Sequence, residues 1–181
     1  MATRRLKGRT IAVITITSIL ISVLVWTTVG SATPPTFNVT DMQNSMARGR
    51  VPNAFKAETD GLVEIKTKGP VDFFTVRLRL RPGHDSGWHF HHGPVLSIVE
   101  QGTVTHYGRD CRPQTYSGQR QGPTSMGDGF VDHGQTHILR NEGTTDVVLA
   151  LTTIIPQGQS PFDPSPPAPA SCQLPPLQPQ P

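Results

Sequence analysis

Two registers of alternation run through the middle of the chain. Leu62-Val63-Glu64-Ile65-Lys66 and Phe74-Thr75-Val76-Arg77-Leu78-Arg79-Leu80 switch between apolar and polar at every step. A strand turns successive side chains to opposite faces, so this period of two predicts half-buried strands. Pro82-Gly83 ends the second run. Val95 to Val99, Thr103 to Tyr107, Phe130-Val131, His137 to Arg140 and Val147 to Ile155 add further short β-prone segments. Gln101-Gly102, Gly127-Asp128-Gly129 and Asn141-Glu142-Gly143 separate them as turn formers. No helical period is sustained after residue 32. Many short strands with frequent turns predict an all-β sandwich or barrel over residues 61–156.

The flanks have different textures. Residues 33–60 are polar, with prolines at 34, 35 and 52, and are expected to wrap the surface, with some pairing at a sheet edge. Ten of the eighteen prolines lie from Pro156 to the end. Proline has no N–H for a central ladder and favours extended backbone, so residues 157–181 are expected to form a flexible or semi-extended tail. Arg109 to Gln121 is polar and is expected to be a loop inserted over one end of the barrel.

The first ten residues carry Arg4, Arg5, Lys7 and Arg9, and an apolar run follows from Ile11 to Val29, ending in the small residues Gly30, Ser31 and Ala32. That is the layout of an export signal over residues 1–32, with a cut expected after Ser31 or Ala32. The run is nearly long enough to span a bilayer, so an uncleaved N-terminal anchor is the rival. Thr3-Arg4-Arg5 hints at twin-arginine export, although Lys7 stands where an apolar residue is usual. The formal charge of +3 rests on this segment, because without it 12 basic side chains face 13 acidic ones. No basic cluster with interleaved aromatics follows, which excludes nucleic acid as a partner. Contact with a membrane is expected only through the N-terminal segment. Asn38-Val39-Thr40 has the form of a glycosylation sequon, meaningful only in a eukaryotic secretory pathway.

Cys111 and Cys172 are an even count in a chain expected outside the cytoplasm, where pairing is favoured. Their bridge would close a loop of about sixty residues and contribute about 4 kcal/mol through chain entropy. Two unrelated thiols are the alternative. Neither has a Cys or His neighbour at metal-ligand spacing.

Seven histidines stand at 84, 89, 91, 92, 106, 133 and 137. On a strand His89 and His91 share a face, opposite Phe90 and His92, so both imidazoles can grip one ion while His137 arrives from a distant strand. Neutral imidazole suits Zn, Cu, Fe and Ni, and Mn somewhat less. His84 and His92 read as solvent or loop residues, His106 as surface or packing, and Trp88 as core or rim.

Here the residues carry a family resemblance. Gly83-His84-Asp85-Ser86-Gly87-Trp88-His89-Phe90-His91, closing at Gly102, resembles the first cupin motif. Gly127-Asp128, Gly134, His137 and Asn141 resemble the second. The resemblance covers about half the chain and implies a single jelly-roll-like β-barrel with a divalent metal (Fe, Mn, Zn, Ni or Cu) on His89, His91 and His137. The glutamate ligand of the family pattern is missing: its slot falls at Val95. Asp132 replaces the usual proline of the second motif, and Asp132 or His133 is an auxiliary candidate for a fourth ligand. Glu100 is judged to lie on the wrong side of its hairpin. Three neutral imidazoles leave a divalent ion at +2, which favours an anionic or bidentate ligand and acidifies bound water.

Fold alone does not select a function. The resemblance is compatible with a metal-dependent oxygenase of a small organic molecule. It is equally compatible with a non-catalytic module holding metal or a small ligand, or with a structural barrel that dimerises through its sheets. No catalytic acid–base pair is evident, and Asp132, His133 and Tyr107 are candidates only by proximity or residue type.

Overall fold

A computed structural model describes residues 47–118, 126–164 and 167–178. The export segment, the sequon and part of the 33–60 stretch lie outside the described residues. Among the described residues, no helix is long and apolar enough to cross a membrane.

Among the described residues there are ten strands: β1 (Ala47–Val51), β2 (Lys56–Thr59), β3 (Val63–Lys66), β4 (Val71–Leu80), β5 (Val95–Gln101), β6 (Thr103–Tyr107), β7 (Pro113–Ser117), β8 (Gly129–Asp132), β9 (Ile138–Arg140) and β10 (Val147–Pro156). They form a five-stranded sheet in the order β1-β4-β10-β5-β8, a three-stranded sheet β7-β6-β9, and a two-stranded hairpin β2-β3. All pairings are antiparallel.

The alternation seen in sequence sets the inner face. Phe74, Val76, Leu78 and Leu80 of β4 point inward, and so do Val147, Leu149 and Leu151 of β10. Val95 and Val99 of β5 join them, and Val104 of β6 and Leu139 of β9 close the same core from the smaller sheet. The two sheets therefore share one apolar interior, the arrangement that lets half-buried strands bury their apolar faces. On the outer face Arg77 pairs with Glu100 and Arg79 with Asp146. Glu100 thus faces away from the interior, as expected. Asn141 is fully buried beyond β9; its Nδ2 donates to the carbonyls of Leu80 and Thr145 at 2.8 Å each, and its Oδ1 accepts from Gly143 N–H at 3.0 Å.

Two expectations need correction. The alternation at Leu62–Lys66 does not make a half-buried strand: all four residues of β3 are exposed, and Leu62 is 87 % exposed. Among the described residues β3 pairs only with β2, and a lone hairpin has no second layer on which to bury a face. The polar stretch Arg109–Gln121 is not simply a loop, since it contains β7, which pairs with β6 from Thr103↔Ser117 to Tyr107↔Pro113. Its polarity reflects an exposed edge strand. The Pro-rich tail, expected as an appendage tethered near its end if Cys172 is paired, has that tether and makes further contacts in its described residues. It returns across the barrel, held by a Cys111–Cys172 disulfide with a Cα–Cα distance of 5.1 Å and by Arg140 Nη2 donating to the Pro175 carbonyl at 2.6 Å. Proline lacks an N–H but keeps its carbonyl, so the tail can dock as an acceptor.

From the 33–60 stretch, β1 adds an edge strand beside β4. Arg48 and Arg50 of β1 both meet Asp72, at 2.5 and 3.2 Å. Gly158 N–H also donates to Asp72 at 3.2 Å. Asp72 therefore ties both flanks to the same corner of the sheet.

Candidate metal centre

His89 and His137 are brought together by backbone pairing. Each donates its N–H to the other's carbonyl, at 3.0 and 2.9 Å, so the two side chains leave the same face of a short antiparallel bridge. Their ring centroids lie 4.1 Å apart. His91 is two residues on, and its ring lies 4.8 Å from His89 and 5.2 Å from His137. One donor atom from each of the three residues lies within 4.8 Å of the others.

The hydrogen bonds around the rings decide their tautomers. His89 Nδ1 is 2.8 Å from the Gly87 carbonyl, His91 Nδ1 2.5 Å from the Pro161 carbonyl, and His137 Nδ1 2.8 Å from the Gln135 carbonyl. A carbonyl only accepts, so each Nδ1 carries the proton and each Nε2 keeps its lone pair. Burial pushes the His89 imidazole well below its ordinary range, with the neighbouring His137 and His91 adding to the effect. His91 is pushed down to about 4, again chiefly by burial and then by His137. His89 and His91 are thereby held neutral, the form that binds a metal.

Asp132 stands behind His137. Its Oδ1 accepts the Gly134 N–H at 2.6 Å, and its Oδ2 lies 3.0 Å from His137 Nδ1. This turn needs glycine: Gly134 has φ +81°, and a Cβ there would meet the His91 carbonyl oxygen at 2.7 Å. Burial raises the Asp132 carboxyl, but contacts with His106 and His137 and the Gly134 N–H outweigh it and hold the group well below the carboxylate range. Asp132 is also the register partner of Val95 on β5. The vacant glutamate slot is thus filled by a buried valine with a carboxylate beside it on the next strand.

His106 was expected at the surface or in packing, and the structure turns it inward. Its side chain is 14 % exposed, its Nε2 is 3.5 Å from Asp132 Oδ2, and its ring is 5.0 Å from that of His137. Neither ring nitrogen has a hydrogen-bond partner. The alternation in β6 carried the signal, because His106 shares its face with buried Val104. His106, Asp132 and His137 form a second donor group. In that group His137 faces Asp132 with its Nδ1, which already carries the proton, so the lone pairs favour the first group.

The remaining predicted residues fall outside the cluster. His133 and His92 are exposed, and His133 belongs to neither donor group. His84 turns its Nδ1 to the Pro82 carbonyl at 3.0 Å. Trp88 is buried with Ile138 and Cys172 in a separate apolar cluster. Tyr107 packs against that cluster, and its hydroxyl donates to Glu142 at 3.1 Å.

The three rings line a cavity of about 40 Å³. Its walls are mostly apolar, with Phe74, Val76, Leu78, Phe130 and Leu151 among them, and Pro161 and Phe162 come from the tail. The sequence offered no periodic signal for these two tail residues.

Among the described residues, an all-strand barrel brings His89 and His91 together with His137 from a segment distant in sequence. No protein-family model and no curated protein sequence matches the chain. Among solved structures, it is similar to the polyketide cyclase RemF from Streptomyces resistomycificus, at 14 % identity and TM-score 0.38 over 50 % of this chain and 58 % of that one. A cupin-superfamily sugar phosphate isomerase from Silicibacter pomeroyi is similar at 21 % identity and TM-score 0.36 over 45 % of this chain and 50 % of that one. A cupin 2 conserved barrel domain protein from Salinispora arenicola is similar at 17 % identity and TM-score 0.37 over 57 % of this chain and 75 % of that one. The matches thus span only about half of the first two of these proteins.

Proposed function

We propose that this is an exported cupin-type protein that binds one divalent metal ion through His89, His91 and His137. One observation carries the reading: all three Nδ1–H groups are committed to fixed carbonyls, which leaves three Nε2 lone pairs as donors in one buried pocket. Second partners of this kind orient a ligating imidazole and raise its basicity. Fe, Mn, Zn, Ni and Cu all suit such a donor set, and Asp132 offsets part of the charge from behind His137. The disulfide supports a location outside the cytoplasm, in keeping with the charged and apolar N-terminal segment.

The catalytic form of this proposal is a metal-dependent oxygenase of a small organic molecule. The bound ion would supply a Lewis-acid or redox centre. The chain's apolar walls would exclude water and receive an apolar substrate body. A non-catalytic module that holds metal or a small ligand is the second reading. The size of the cavity favours it, because about 40 Å³ accepts an ion and a few waters but no organic substrate without movement.

The test is elemental analysis of protein purified from its native compartment, beside a His91→Ala variant. Wild type is expected to carry close to one ion per chain and the variant far less; equally low metal in both would refute the proposal. Oxygen uptake by loaded protein with small thiols, catechols and diketones then separates enzyme from binder.

A further inference from the structure

The chain beyond β10 passes over the histidine cavity at closely spaced points. Gly158 N–H is tied to Asp72. The Pro161 carbonyl accepts the His91 Nδ1 proton at 2.5 Å. The Phe162 ring tilts over His89 at 4.6 Å and 32°, and it meets His91 edge-on at 6.4 Å. Asp163 then exchanges both backbone hydrogen bonds with Phe90 at 3.1 Å each, on the strand segment between the two histidines. Further along, the Cys111–Cys172 bond returns the chain to the barrel. Pro161 and Phe162 both line the cavity, yet Phe162 belongs to neither apolar core cluster.

We propose that residues 157–163 are a strap built into the metal centre, with Pro161 as a positioning residue and Phe162 as the cover that limits what reaches the ion. The proposal rests on the metal reading above. His89 and His137 take their Nδ1 acceptors from carbonyls two residues earlier, on their own strand segments. His91 is different, because its acceptor lies seventy residues away in sequence. Its tautomer and ring angle therefore exist only while the strap is docked. Phe162 lies against the two rings that share the His-x-His segment, so its removal opens the cavity without cutting into the core. With the strap in place, only ligands of a few atoms fit beside an ion. Anything larger has to displace Phe162, and the tethers on either side confine that motion to the strap.

The test compares wild type, Phe162→Ala and Phe162→Leu in two assays. In the first, zinc-loaded protein is mixed with a chelating dye and the release rate is followed. Phe162→Ala is expected to release zinc about tenfold faster, the scale on which outer-sphere partners act, and Phe162→Leu to return close to wild type. The second uses metal-free protein and diethyl pyrocarbonate, with acylation read at each histidine by peptide mass. His89 and His91 are expected to react several-fold faster in Phe162→Ala, while exposed His92 and His133 keep their rates. Unchanged release and unchanged acylation in Phe162→Ala, with an unchanged melting midpoint, would overturn the strap. If wild type holds no zinc, the metal reading fails, and the acylation assay alone still decides whether the strap covers the rings.

Discussion

Introducing the family carboxylate at the empty slot tests the geometry of the site most directly. Val95 is 3 % exposed, lines the cavity, and sits directly across from Asp132 in the β5–β8 register. Opposed residues on antiparallel strands have Cβ atoms about 5 Å apart and share a face. Val95→Glu would therefore set a second carboxylate beside one that is held ionised by His106, His137 and the Gly134 N–H. Two like charges at about 5 Å with an effective dielectric of about 20 repel by roughly 3 kcal/mol. Val95→Gln is the control, since it imposes nearly the same shape without the charge. In chelator at neutral pH, Val95→Glu is expected to be less stable than Val95→Gln by about 3 kcal/mol. Urea unfolding followed by the fluorescence of buried Trp88 measures the gap. A divalent ion should narrow it, because its positive charge would offset the added negative one, and so should acid, by protonating the new carboxyl. If the two variants unfold within about 1 kcal/mol of each other in chelator, then either position 95 does not face Asp132 or Asp132 carries no charge.

Two further outcomes follow from groups away from the rings. Asn141→Ala leaves two carbonyls and one N–H without the partners that the buried amide supplies, and it is expected to cost about 3 kcal/mol in urea unfolding. The folded fraction should still bind metal at wild-type stoichiometry, and a loss below about 1 kcal/mol would contradict the bonding described. Asp72 is held down to about 2, first by the Arg48 hydrogen bond and then by the Gly158 N–H. Its folded value lies below the unfolded value of about 3.9, so its stabilisation is present above that pH and is lost as pH falls toward 2. Metal-free wild type should therefore show an acid limb between about pH 4 and 2 that is shallower in Asp72→Asn. Identical limbs in urea titrations of the two proteins would refute the tie.

By itself the sequence determined the β-rich middle and the inward face of β4, because a period of two is a local property of the backbone. Spacing put His89 and His91 on one face, and the two motifs paired them with His137. The even cysteine count in an export context pointed to the Cys111–Cys172 bridge. Tertiary structure decided whether an alternating segment finds a layer to bury against: β4 does and β3 does not, although both alternate. It also decided which residues stand opposite one another, since inter-strand register is a long-range property. Asp132 beside the empty Val95 slot and His106 behind His137 both depend on it. The strap was hidden for a further reason. Proline-rich backbone makes no periodic pattern, and its contribution to the site is a carbonyl, an atom that every residue carries and no side-chain pattern can reveal.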